Sequence, residues 1–231
     1  MNILCHSRTL HLSLRGPLYF CIFFCLSLPL RAVPSSLIPD SLLQKVLEGE
    51  IVSSTYVEEV PDDRRRLSVT SVGLVKKERD KLRKIFDDPQ LLQSLSKKIK
   101  KVDALQMNRK NRIFMIQACF LFCSYKIHTA VHLDFSKQKK DQDNITWKFL
   151  SGHDLSERIS NTQFEDVDFK FSGMKGSTVL KVHEKNSTLV GLEGQWDTSS
   201  SSFFRWVQKW LIKTALTQTI YEIRSNLEEK L

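Results

Sequence analysis

FFRWVQKWLIKTALTQTIYEIRSNLEEKL, residues 203–231, is the longest helical pattern in the chain. Phe204, Val207, Leu211, Ala215, Ile220, Ile223 and Leu227 recur at helical spacing and make one broad apolar stripe. Trp206 and Trp210 flank it, four residues apart. At about 1.5 Å per residue such a helix runs ~40 Å, long enough to lie across a whole sheet. The serine run from Ser199 to Ser202 suits its N-cap. A stripe this long needs a wide apolar surface to cover.

The middle of the chain offers that surface. KVDALQM (101–107), RIFMIQACFLFC (112–123), YKIHTAVHLDF (125–135) and ITWKFL (145–150) are rich in aromatic and β-branched residues. Further β-like runs follow at Phe164–Phe171, Ser177–His183 and Thr188–Asp197. Turn signals about every ten residues predict an antiparallel meander. Between Arg112 and Phe135 the runs are apolar on both faces in places, as expected of a sheet covered on its inner side.

Upstream, Val33 to Pro39 reads as a Pro- and Ser-rich linker, and Asp40 caps a short helix that ends near Gly49. A strand is expected over 50–60, then a Pro61-Asp62-Asp63 turn, the basic run Arg64–Arg66 and a strand over 67–75. Two short helices come next. One carries Leu82, Ile85 and Phe86. The other starts at Pro89 behind an Asp88 cap and carries Leu91, Leu92, Leu95 and Ile99.

The first 32 residues contain Arg8, Arg15 and Arg31, no acidic residue, and an apolar run from Pro17 to Leu30. That run is shorter than the ~20 residues a spanning helix needs. It fits a secretory signal peptide over residues 1–32, with an uncleaved interfacial anchor as the alternative. The expected destination is secreted or periplasmic. Of the formal +9, a charge of +6 remains beyond this segment, 32 basic against 26 acidic groups. Such a balance suits an ordinary soluble surface or weak contact with anionic membrane. No nucleic-acid motif accompanies it.

Beyond the leader only Cys119 and Cys123 remain. On one continuous strand, four residues span ~13 Å, whereas a disulfide needs Cα atoms within ~7 Å. Free, buried thiols are therefore expected. The same arithmetic keeps His128 and His132 of HTAVH from sharing a metal, and no metal or other cofactor is expected. No G-x-S-x-G, phosphate loop or Cys-x-x-Cys occurs, and Asp166 and Asp168 have no evident partner for acid–base work. Asn144-Ile-Thr146 and Asn186-Ser-Thr188 are glycosylation sequons, both in expected turns.

Strand, two short helices, antiparallel run and long closing helix together resemble the helix-grip order of START-like domains, the coenzyme-Q-binding and polyketide cyclase/dehydrase superfamily. Trp206 to Leu231 is similar to their final helix. Phe169-Lys-Phe-Ser-Gly173 and Gly194-Gln-Trp196-Asp197 are similar to their closing hairpins, and Leu82 to Leu95 to their paired helices. The resemblance covers 67–231 and leaves 33–66 outside as a linker with a short helix and strand. It implies an α+β fold, a curved antiparallel sheet wrapped around the C-terminal helix. Between the two it implies a hydrophobic cavity, with Trp147, Phe149, Phe169, Trp196, Phe204, Val207, Leu211, Ala215 and Ile220 as candidate lining. Any one of these side chains serves equally well as core. The implied function is non-catalytic binding of a lipid- or quinone-like molecule. A cyclase/aromatase-type enzyme using the same cavity, or a module that docks on membrane or protein through its basic runs, are the alternatives.

Overall fold

A computed structural model describes residues 40–61, 64–120, 125–198 and 202–230 of the chain. The leader expected at 1–32 lies outside the described residues. So do Cys123, Leu231 and, for their side chains, Phe204, Val207 and Leu227. Among the described residues no helix is long and apolar enough to cross a membrane.

The chain runs α1 (Asp40–Leu47), β1 (Val52–Val60), β2 (Arg64–Val75), α2 (Arg79–Asp87), α3 (Pro89–Ser94), β3 (Ile99–Met107), β4 (Asn111–Phe120), β5 (Tyr125–Gln138) and β6 (Gln142–Leu150). Then come α4 (Gly152–Ile159), a short 3-10 turn (Thr162–Phe164), β7 (Lys175–Glu184), β8 (Ser187–Thr198) and α5 (Ser202–Lys230). All eight strands form one antiparallel sheet in the order β1-β2-β8-β7-β6-β5-β4-β3. The sheet is curled but unclosed, and α5 lies against β1, β2 and β8. This is the helix-grip α+β architecture.

Period-two alternation sorts the side chains. Facing α2, α3 and α5 is the main core, which includes Leu67, Val69, Phe114, Val131, Leu133, Phe135, Ile145 and Leu192. Two smaller clusters lie on the opposite, convex side. One holds Val46 of α1 against Val72 and Leu189. The other holds Leu155 of α4 against Ile113, Ala130 and Leu150. Local signals explain the helix starts. Asp88 Oδ1 accepts from the Gln90 and Leu91 amides at 2.8 and 3.4 Å, ahead of Pro89. Ser151 and Asp154 form a reciprocal capping box on α4.

Three expectations are corrected. The helix and strand between 40 and 60 are not a linker: β1 pairs along its whole length with β2, and α1 covers the sheet's convex side. The segment 164–171 is not a strand. β6 pairs directly with β7, so nothing remains for 164–171 to pair with, and the connection 151–174 instead folds as α4 and turns. Third, Cys119 is disulfide-bonded, with its partner outside the described residues. The free-thiol argument assumed one strand through Cys123, but β4 ends at Phe120 and pairs there with Tyr125.

Candidate functional site

On β6, Ile145, Trp147 and Phe149 point to the concave side, while Asn144, Thr146 and Lys148 point away. Trp147 stands between Leu133 of β5 and Gly176 of β7. Glycine is required there. A Cβ at Gly176 would sit 2.4 Å from the Trp147 ring and 1.9 Å from the Glu193 carbonyl oxygen. Phe149 meets Trp147 edge-on at 5.7 Å and contacts Phe171 at 6.1 Å. Trp196 of β8 faces Leu67, and Val102 of β3 faces Ile116 of β4.

These five inward side chains, Val102, Ile116, Trp147, Phe149 and Trp196, pack on the core yet remain only half-buried. Their residual exposure leaves an apolar strip, the trough, on the concave side at this end of the sheet. The N-terminal half of α5 reaches it near Gly194. Ile212 and Leu216 approach Gly194 closely, beside Met174.

The other end is closed. Leu82, Ile85, Phe86 and Leu95 from α2 and the α3–β3 turn fill the concave side there. A charged clamp fastens α2 over it: buried Asp143 lies 3.4 Å from Arg79 and 3.9 Å from Arg83, and Arg112 pairs with Asp87 at 3.0 Å. The Phe135 ring lies beneath both Arg83 and Arg112, at 5.7 and 5.5 Å.

Of the nine candidate residues, Trp147, Phe149 and Trp196 stand together on the trough. Ile220 is fully buried in the core beneath α5. Leu211 and Ala215 are exposed, which corrects the phase of the stripe: the buried positions are Ile212, Leu216, Ile220 and Ile223. Phe169 is buried, but on the convex side with Leu155 and Phe164, because its segment is not a strand. Phe204 and Val207 lie on α5, and their side chains fall outside the described residues.

Sequence reasoning missed Val102, Ile116, Met174, Ile212, Leu216 and Phe171. Phe171 had a signal, since it sits two residues beyond Phe169 in the quoted FKFSG. It adopts φ 63°, a left-handed conformation uncommon for an aromatic residue, and its ring comes to Phe149.

Polar chemistry gathers on the opposite face. A surface cleft of about 370 Å³ is lined there by His132, Asp134, Lys148, Lys175 and Glu193, among others. A second cleft, about 430 Å³, lies beside α3 and the turn to β3. Trp147 and Gly176 also line the first of these clefts. His132 bonds with Asn111 at 3.0 Å, and burial, then the nearby Arg158 and Lys148, hold its pKa below the ordinary value against the pull of Asp134. His128 reaches Gln117 instead. Among the described residues no three His, Cys, Asp or Glu side chains gather as a metal site.

No family model matches the sequence, and no curated protein matches it. Solved structures do. Human STARD10 is similar with a TM-score of 0.56 at 8% identity, over 87% of this chain and 85% of that one. A STAR-related lipid transfer protein fragment from Xanthomonas axonopodis gives 0.52 at 10% identity, over 75% of this chain and 98% of its own. Human StAR-related lipid transfer protein 5 gives 0.50 at 6% identity, over 82% and 94%. At such identities the likeness is one of fold, and the fold of this chain is the START-like helix-grip fold.

Proposed function

We propose that this protein binds a hydrophobic small molecule, lipid- or quinone-like, in the apolar trough beneath the N-terminal half of α5, and carries it without chemical change. The observation that carries this reading is the set of large inward apolar side chains, three of them aromatic, left half-buried together at one end of the core. Apolar area left in water is unfavourable by about 25 cal/mol per Å², so a greasy ligand gains by covering it. Ligand sites are commonly concave, mostly apolar and sparing in polar groups. The trough matches that description, and titratable side chains collect on the other face of the sheet. Two of the solved structures of similar fold, one from Xanthomonas axonopodis and one human, are lipid transfer proteins, which supports the same class of ligand.

Native mass spectrometry of the protein purified from its own source is the test. A bound apolar molecule, released on unfolding, is the expected result. Protein that arrives empty and stays empty when offered lipid contradicts it.

Export is the second part of the proposal, with residues 1–32 removed. The charged prefix and short apolar run support it. So does the bonded Cys119, because disulfides persist mainly in oxidising compartments. N-terminal sequencing of the secreted form should begin just beyond Ala32; a form beginning at Met1 contradicts it.

A further inference from the structure

The two sequons look alike in the sequence, yet the structure places them in opposite settings. Asn144 sits inside β6, paired with Lys137 on one side and Val179 on the other. Its side chain is partly buried, and its Oδ1 is shielded from solvent with no hydrogen-bond partner. A sugar there would have to displace the sheet's convex surface. Asn186 occupies the two-residue turn between β7 and β8, where Glu184 pairs with Ser187, and it is fully on the surface. The hydroxyl residue of its triplet, Thr188, is wholly buried and donates to the Lys77 carbonyl at 2.8 Å.

Resting on the export reading above, we infer that Asn186, and not Asn144, carries an N-glycan in the folded protein, because a sugar on Asn144 would keep β6 from closing between β5 and β7 whereas one on Asn186 stands on the exposed turn. Burial of Thr188 fixes the timing. The hydroxyl side chain of an Asn-x-Thr triplet is part of what the modifying enzyme recognises, so transfer takes place on the newly made chain, before the β7–β8 hairpin docks on β2. In that step Nδ2 of Asn186 forms a bond to the anomeric carbon of a lipid-pyrophosphate-linked oligosaccharide. The bond from that carbon to the pyrophosphate oxygen breaks. The bonding pair leaves with the pyrophosphate, and the amide releases one proton to solvent. Folding then buries Thr188 and leaves the modified Asn186 on the turn.

The position also protects the trough. Ser187 and Trp196 mark opposite ends of β8, separated by nine residues, or ~30 Å at about 3.4 Å each. A glycan on the turn therefore stands away from Trp147, Phe149 and Trp196. Such a modification solubilises the closed end without obstructing ligand entry.

The experiment is translation of the full chain in the presence of microsomes, with protease protection scored separately from glycan addition. The expected result is a protected product carrying one endoglycosidase-sensitive shift, lost in Asn186→Gln and kept in Asn144→Gln. Glycosylated and enzymatically deglycosylated protein should take up an apolar fluorescent probe equally. A protected product with no shift, or any shift that Asn144→Gln removes, overturns the inference and leaves export standing. A product open to protease overturns export and the acceptor site together.

Discussion

The two halves of α5 rest on the same sheet but are held in different ways. The C-terminal half is fastened by directed bonds. Arg224 donates to the Leu74 and Gly49 carbonyls at 2.7 Å each, Ser96 bonds with Glu222 at 3.1 Å, and Asn226 bonds to the Leu95 carbonyl. Ile220 and Ile223 are fully buried between these bonds, and Gly73 lets the helix in: a Cβ there would lie 2.7 Å from Ile220. On the N-terminal half, Ile212 and Leu216 pack near Gly194, while Trp206 and Trp210 are exposed at 63% and 56%. Thr217 marks the boundary, bonded to Ser53 at 3.1 Å. For the proposed carrier, the fastened half would hold the fold while the apolar overhang admits a ligand.

Substitutions should separate the halves. Ile220→Ala removes a fully buried side chain from the fastened region and should cost about 3–5 kcal/mol in urea unfolding. A cost near zero would mean that this half is also a loose roof. Asp143→Ala should follow at roughly 3 kcal/mol, because it leaves Arg79 and Arg83 without their buried partner at the closed end. Little change there would remove the distinction between clamped and open ends. Leu211→Ala, on the exposed face of the overhang, should stay within about 0.5 kcal/mol. A large loss would restore the stripe phase expected from sequence.

The smallest expected effect is pH-dependent and lies on the convex face. His132 has a depressed pKa in the folded state, so the unfolded chain binds more protons just below the ordinary value of about 6.5. Its contribution to stability is therefore present at neutral pH. It is lost as pH falls from the unfolded value toward the folded one, with no further change below that. His132→Asn should flatten that portion of a pH–stability curve. Asp197 titrates lower: hydrogen bonds from Arg66, at 2.7 and 3.1 Å, hold its pKa below the usual carboxylate range. Its contribution is present above the unfolded value and disappears as pH falls through the depressed one. A curve in which Asp197→Asn removes the loss near pH 6 and His132→Asn does not would reverse these assignments.

The order of elements was legible because each rests on local chemistry. Asp88-Pro89 is a local helix-start signal, and the alternation in β6 puts Trp147 and Phe149 on one face without tertiary information. The phase of α5 was legible at Ile220 and Ile223 but not at Leu211 and Ala215. Leu211-Ile212 and Ala215-Leu216 are paired apolar neighbours, so two stripes one residue apart are almost equally apolar. What selects between them is non-local: Thr217 must meet Ser53, and Arg224 must reach the Gly49 and Leu74 carbonyls. Phe169 failed for a related reason. Phe164, Val167, Phe169 and Phe171 imitate a strand, but only the register of β6 against β7 shows that no pairing edge is left for them. The Ser151–Asp154 capping box was a local clue to the helix that stands there instead.

The central claim is that the half-buried aromatics mark a ligand site rather than an imperfect core. Titration of the folded full chain with a lipid-like fluorescent probe tests it most directly, beside Phe149→Ala and Trp196→Ala. Predicted is saturable uptake by the wild type, weakened about tenfold by either substitution, a loss of ~1.4 kcal/mol, with melting temperature changed little. Wild-type protein that takes up no probe, while both variants lose stability as core truncations do, would contradict the claim.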